Sequence, residues 1–150
     1  MPGGESLRRE QYYAHPRNLF WRIIEALLEI DRPASYAGRV KALKARRIAL
    51  WDVLHSCVRE GSLDTRIEKE AANDFARFFR SHPAISHVFF NGAKAEASYR
   101  RHVLAGIGKP LQYRRLPSTS PAHAALSYRR KLAAWRVILG AVRTDRRSRK

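Results

Sequence analysis

Only one cysteine, Cys57, occurs in the 150 residues. A lone thiol excludes an intramolecular disulfide framework and any four-cysteine zinc or iron–sulfur site. It fits a reducing compartment, so a cytoplasmic protein is expected. Acidic side chains are also scarce: 13 Asp and Glu stand against 30 Lys and Arg, a formal charge of +17. No stretch approaches the ~20 consecutive apolar residues of a spanning helix. The opening Met1-Pro2-Gly3-Gly4-Glu5 has no signal-peptide pattern. A secreted, disulfide-stapled or membrane-spanning protein is therefore not expected.

What is present is a globular composition, 45% hydrophobic, in a length that fits one domain. The excess of positive charge favours a polyanionic partner, with nucleic acid ahead of a membrane surface. Residues 1–142 read as the domain. Arg143 to Lys150, with five basic residues and no apolar stripe, read as a disordered tail that either aids solubility or seeks phosphate.

Hydrophobic spacing predicts helices over Asn18–Ile30, Ser35–Arg46, a segment capped by Asn73, Ala93–Leu104, and Ser120 to about Val142. Short apolar runs at 48–53, His87–Phe90 and Gln112–Leu116 read as strands. Residues 1–16 and 61–69 read as loops. Helices alternating with strands predict an α/β fold, with a mostly parallel central sheet in a three-layer α/β/α arrangement. On such sheets ligands bind beyond the carboxyl ends of the strands. The segments to inspect are therefore Asp52 to Ser56, Asn91-Gly92 and Pro117 to Pro121. Trp51 and Trp135 read as core.

Four pieces of sequence carry a resemblance. They are Met1-Pro2-Gly3 with Ser6-Leu7 and Gln11 to Trp21; Ala49-Leu50-Trp51-Asp52-Val53; Phe89-Phe90-Asn91-Gly92; and Leu116 to Ala122. In this order they resemble the uracil-DNA glycosylase superfamily, and best its family 6 branch, the hypoxanthine-DNA (deoxyinosine) glycosylases. The resemblance implies a base-flipping monofunctional DNA repair enzyme that hydrolyses the N-glycosidic bond of a deaminated base in double-stranded DNA. It implies no cofactor and no metal. A monomer is expected. The alternatives are a uracil or mismatch glycosylase on the same fold, and a truncated, non-catalytic DNA-binding copy. Family members carry an apolar strand ahead of the first loop. Here Met1 falls at the family's internal Met, so the expectation is a sheet without its usual first strand, through either a start placed too late or a shortened copy.

The resemblance implies roles for particular residues. Asn18 would orient the water or donate to the leaving base, although its residue type also suits a helix cap. Asp52 would read the base edge or help hold water, with a salt bridge or cap as its plain alternative. Tyr13 would stack on the flipped base, with Tyr12 the lesser candidate, and His15 would contact phosphate or base. Asn91 would line the pocket, or form only a strand-to-helix turn. Ser118, Thr119 and Ser120 would grip phosphate at the minor groove, with Ser120 also suited to a helix cap. Leu116 stands where uracil-specific relatives have a His. Lys94, Arg100, Arg101, Arg114, Arg115, Arg129, Arg130 and Lys131 are candidates for the DNA face, while Cys57 and His123 read as structural.

Overall fold

Apolar side chains at 20, 21, 23, 24, 27 and 28 fall on one side of helix α2 (Phe20–Leu28), and all six are buried. The computed structural model describes residues 4–30, 34–59 and 67–147. In chain order these are α1 (Gly4–Arg9), α2, α3 (Tyr36–Ala45), β1 (Leu54–Arg59), β2 (Ile67–Ala72), α4 (Phe75–Ser81), β3 (His87–Asn91), α5 (Ala93–His102), a 3₁₀ turn over Leu104–Gly106, β4 (Gln112–Leu116), α6 (Tyr128–Trp135) and α7 (Val137–Arg147).

The fold is α/β. Strands β3 and β4 pair in parallel, from His87 against Gln112 to Asn91 against Leu116, with α5 as the crossover between them. Parallel pairing brings the carboxyl ends of both strands, Asn91 and Leu116, to one edge. The other two strands form an antiparallel hairpin, β1 on β2, broken by register shifts. Among the described residues the strands thus make two two-stranded sheets.

Two apolar cores support this frame. The larger joins α2 to Leu43, Leu116, Trp135 and Ile138, so it lies under the carboxyl end of β4. The smaller packs Phe75, Phe79, Phe90, Tyr99 and Val103 between α4, β3 and α5. Burial of about 1.5–3 kcal/mol per large apolar side chain makes these two clusters the main source of stability. Glu70 of β2 ties the hairpin to α5: it accepts from Lys94, from His102 Nε2 at 2.9 Å and from Ser98 Oγ at 3.2 Å.

Several expectations are corrected. The run 48–53 is not a strand. Ile48 and Leu50 pack on the larger core while Ala49 and Trp51 are exposed, so the segment alternates like a strand but has no ladder partner among the described residues. Trp51 is therefore surface, at 37% exposure, and not core. Helix α1 occupies part of the expected opening loop, supported by Glu5 pairing with Arg8 and Arg9. Residues 67–69 belong to β2, and the rest of the expected loop that follows Arg59 lies largely outside the described residues. Asp74, not Asn73, caps α4, its Oδ1 accepting the Arg77 N–H at 2.9 Å. The last helix begins at Tyr128 behind the cap Ser127, not at Ser120, and is divided at Arg136. Helix α7 runs to Arg147, so 143–147 are helical, and 148–150 lie outside the described residues. Met1-Pro2-Gly3 and the side chains of Ser56 and Cys57 also lie outside the description.

Candidate active site

The Gln11–Asn18 loop is shaped by its own backbone bonds. Buried Ser6 accepts the Gln11 N–H at its carbonyl (3.0 Å) and the Ala14 N–H at its Oγ (3.1 Å). Two non-glycine residues, Glu10 and Tyr13, take left-handed backbone conformations, with φ of 52° and 55°. That is an uncommon state for a bulky side chain, and at Tyr13 it turns the ring onto Phe20, with centroids 4.0 Å apart and nearly parallel. His15 then starts a turn. Its carbonyl accepts the Asn18 N–H at 2.9 Å, and its Nδ1 accepts the Arg17 N–H at 3.1 Å. Since a backbone N–H only donates, the neutral imidazole carries its proton on Nε2.

The same logic orients Asn18. Its Oδ1 accepts the Phe20 N–H at 2.9 Å and so covers one of the open donors at the start of α2. That bond fixes the amide by its oxygen and leaves Nδ2 as its donor end. The capping reading of this residue is thus present in the structure, carried by the oxygen.

Thr119 is the junction of the site. It is wholly buried, and Asn91 binds it twice: Asn91 Nδ2 donates to its Oγ1 at 2.8 Å, and its N–H donates to Asn91 Oδ1 at 2.9 Å. Its carbonyl accepts the Leu19 N–H at 3.1 Å. One residue thus joins the end of β3, the loop after β4 and the start of α2. Gly92 has φ of 96°, and a Cβ there would lie 2.9 Å from Ser118 Cβ. Only glycine permits this crossing. Helix α6 holds the same loop from below: Trp135 Nε1 donates to the Pro117 carbonyl at 3.0 Å, and Lys131 Nζ to the His123 carbonyl at 2.7 Å. Ser118 and Ser120 are partly exposed. Ser118 Oγ accepts the Ser120 N–H at 3.2 Å, and Ser120 Oγ accepts the Ala122 N–H at 3.3 Å, so Ser120 closes a turn and starts no helix.

Asp52 comes to the first loop through Tyr12, whose hydroxyl hydrogen-bonds the Asp52 carboxylate and backbone. Tyr12 is further fixed because its N–H donates to Tyr36 Oη at 3.2 Å and its carbonyl accepts Trp21 Nε1 at 2.7 Å. Burial, then the Asp52 charge and Tyr36, push the Tyr12 hydroxyl above the usual tyrosine range. Burial does the same to Tyr99. Both tyrosines hold their protons more tightly folded than unfolded, so their contribution is full below about pH 10 and is lost as pH rises beyond it. Urea midpoints measured from neutral to strongly alkaline pH should fall above that point, with a smaller fall in a Tyr12→Phe, Tyr99→Phe double variant.

A sequence model described as the uracil DNA glycosylase superfamily matches residues 1–139. The chain belongs to the uracil DNA glycosylase superfamily. A protein of Methanosarcina acetivorans named hypoxanthine DNA glycosylase is 37% identical over 139 residues, covering 92% of this chain and 85% of that protein. One of Methanosarcina barkeri with the same name is 41% identical over 96 residues, 63% of this chain and 61% of that protein. A solution NMR structure from Methanosarcina acetivorans, described as a uracil DNA glycosylase, superposes with a TM-score of 0.73 at 36% identity, covering 91% of this chain and 84% of that one.

Within this superfamily member, the cations singled out in the sequence divide into three groups. Lys94 is paired with Glu70, and Arg100 and Arg115 with Glu96. Lys131 is corrected: at 2% exposure it is an interior prop, and burial lowers its pKa. Arg101, Arg114, Arg129 and Arg130 are exposed. Each phosphate contact adds about 0.9 to the slope of log affinity against log salt on duplex DNA. Filter binding across a salt series should therefore show shallower slopes for alanine variants at contacting members of that exposed set, and an unchanged slope for Lys131→Met.

Of the residues singled out in the sequence, the structure brings Tyr13, Asn18, Asp52, Asn91 and Thr119 onto neighbouring loops, but it corrects the expectation for Thr119: wholly buried and bonded to Asn91, its hydroxyl is a structural tie and not a phosphate contact. Sequence reasoning ranked Tyr12 below its neighbour, gave Ser6 no role in shaping the first loop, and did not foresee Lys131 and Trp135 as props of the loop after β4. None of these roles left a local signal, whereas Gly92, following Asn91 at a strand end, did.

Proposed function

We propose that this chain is a monomeric, monofunctional DNA glycosylase, with residues 1–142 as its catalytic domain, that extrudes a deaminated base from duplex DNA and hydrolyses its N-glycosidic bond. Hypoxanthine is the base assigned. The observation that carries this is the coupling of the loop bearing Tyr13 and Asn18 to the loop bearing Ser118 and Ser120 through one buried residue, Thr119. A base-handling loop and a backbone-gripping loop must keep a fixed spacing, because small misplacements of reacting groups are costly in rate. The names of the two Methanosarcina relatives support the same substrate.

In hydrolysis the C1′–N bond breaks with its electron pair going to the base, a water oxygen bonds to C1′, and the proton that the water releases passes through solvent to the departed base anion. The sugar passes through an oxocarbenium-like state, as in glycoside hydrolysis. Asn18 Nδ2, the donor end of an amide whose oxygen is held by the Phe20 N–H, donates to the departing base and stabilises its negative charge. Asp52, held by Tyr12, accepts from N1–H of hypoxanthine. Tyr13 stacks on the base, and the His15 Nε2 proton is offered to phosphate or base. Ser118 and Ser120 take phosphate oxygens. Asn91 acts through Thr119 as a positioning residue, since both ends of its amide are engaged. Buried Leu116 offers no donor to a pyrimidine O2.

The test is alkali-dependent strand cleavage of end-labelled duplexes carrying hypoxanthine, uracil or xanthine. Preferred cleavage at hypoxanthine is expected. Cleavage at uracil alone would overturn the base assignment, and cleavage at none would leave a DNA-binding protein without chemistry.

A further inference from the structure

Beside the active site runs an open groove of about 570 Å³ whose wall is a stack of rings. Trp51 lies against Phe78 with centroids 4.6 Å apart and a 34° tilt, and Phe78 lies against His82 at 4.4 Å and 29°. His82 is locked in place because its Nδ1 donates to the Phe78 carbonyl at 2.9 Å. Trp51 is 37% exposed and so has a free part of its surface toward the groove. The lining also includes the polar side chains of Arg77 and His55, both exposed, and Asp74, whose carboxylate is already occupied in capping α4.

The groove is fastened to the active site. Asn73 Nδ2 donates to the Asp52 carbonyl at 2.8 Å, and the Asn73 N–H donates to the Val53 carbonyl at 2.9 Å. Trp51 is thus one residue from the carboxylate assigned to the base edge. An exposed aromatic ladder with an arginine at its edge, on a chain of net charge +17, suits a stacked base on a phosphate backbone. It does not suit a purely apolar partner, because His82, Arg77 and His55 would have to be stripped of water there.

On the footing of the DNA function proposed above, we propose that this groove is a second stacking site, which receives an unpaired nucleobase neighbouring the flipped one on the damaged strand. Extruding a base unstacks its neighbours, and a ring ladder next to the pocket recovers part of that loss. Trp51 is the principal contact, with Phe78 and His82 as its support.

The experiment uses the full chain and undamaged single strands, so it is independent of cleavage. Trp21 and Trp135 are 6% and 3% exposed, which leaves Trp51 as the tryptophan open to a ligand. A short oligothymidylate is expected to quench tryptophan emission, and a base-free oligomer of equal length and charge is not. Read by the anisotropy of end-labelled oligomers, because these variants lose the reporting tryptophan, Trp51→Leu should reduce the preference for oligothymidylate over the base-free oligomer by roughly five- to a hundredfold, and Trp51→Tyr should restore it. Equal quenching by both oligomers, or a preference that survives Trp51→Leu, would overturn the proposal. If Trp51→Leu does not fold, the quenching comparison on the unaltered chain decides the matter. Absence of glycosylase activity with base-selective quenching would sink the catalytic function and leave the groove standing.

Discussion

Asn18→Asp should lose about 10²–10³-fold in cleavage rate while folding as stably as the parent. The substitution keeps an oxygen for the Phe20 N–H, so the start of α2 stays covered. What disappears is the Nδ2 donor. If Asn18 worked instead by accepting a proton from water, a carboxylate would perform as well or better, and an active Asn18→Asp enzyme would refute the donor role. Asn18→Ala removes both functions. It should match the aspartate variant in lost activity and also lose about 1 kcal/mol of stability. Single-turnover rates on a hypoxanthine duplex, with urea unfolding of each variant, separate the two contributions. Both variants should bind DNA nearly as tightly as the parent, since backbone contacts carry most of that affinity.

Asn91→Ala should destabilise the fold by roughly 2–4 kcal/mol, because it strands a buried hydroxyl and a buried backbone N–H on Thr119. Activity should fall with it, since the loop after β4 loses its tie to β3. The pattern matters more than the size. A base-reading Asn91 would lose activity with stability unchanged, whereas a positioning Asn91 loses both, and added salt or lowered temperature that restores folding should restore part of the rate. Gly92→Ala should behave similarly, for a different reason: it puts a methyl into Ser118 and forces a strained φ. Urea midpoints read beside initial rates distinguish these outcomes.

The α/β class, the two parallel strands and the α2 core were legible because each rests on a local period. Six apolar positions on one side of α2, and short apolar runs ended by Asn91-Gly92 and Pro117, follow from geometry within a few residues. The run 48–53 was misread for the complementary reason: alternation records which side chains face inward, but a strand exists only where a second chain segment accepts its hydrogen bonds. The same limit hid the role of Lys131, whose charge places it on a surface by composition and whose burial against the His123 carbonyl depends on the fold of α6.

The sequence by itself determined the chemistry available: an amide at 18, a carboxylate at 52, aromatic rings at 12 and 13, hydroxyls at 118–120, and enough positive charge to seek a polyanion. Side-chain type is a local property, and it survives without coordinates. Only the tertiary structure decided how those groups are used. It fixed Asn18 by its oxygen, engaged both ends of Asn91, buried Thr119 and brought Trp51 to the surface beside Asp52. Apart from Asn18, whose partner Phe20 is two residues on, each depends on a hydrogen-bond or packing partner many residues away, and such partners are chosen by long-range closure of the chain rather than by spacing along it.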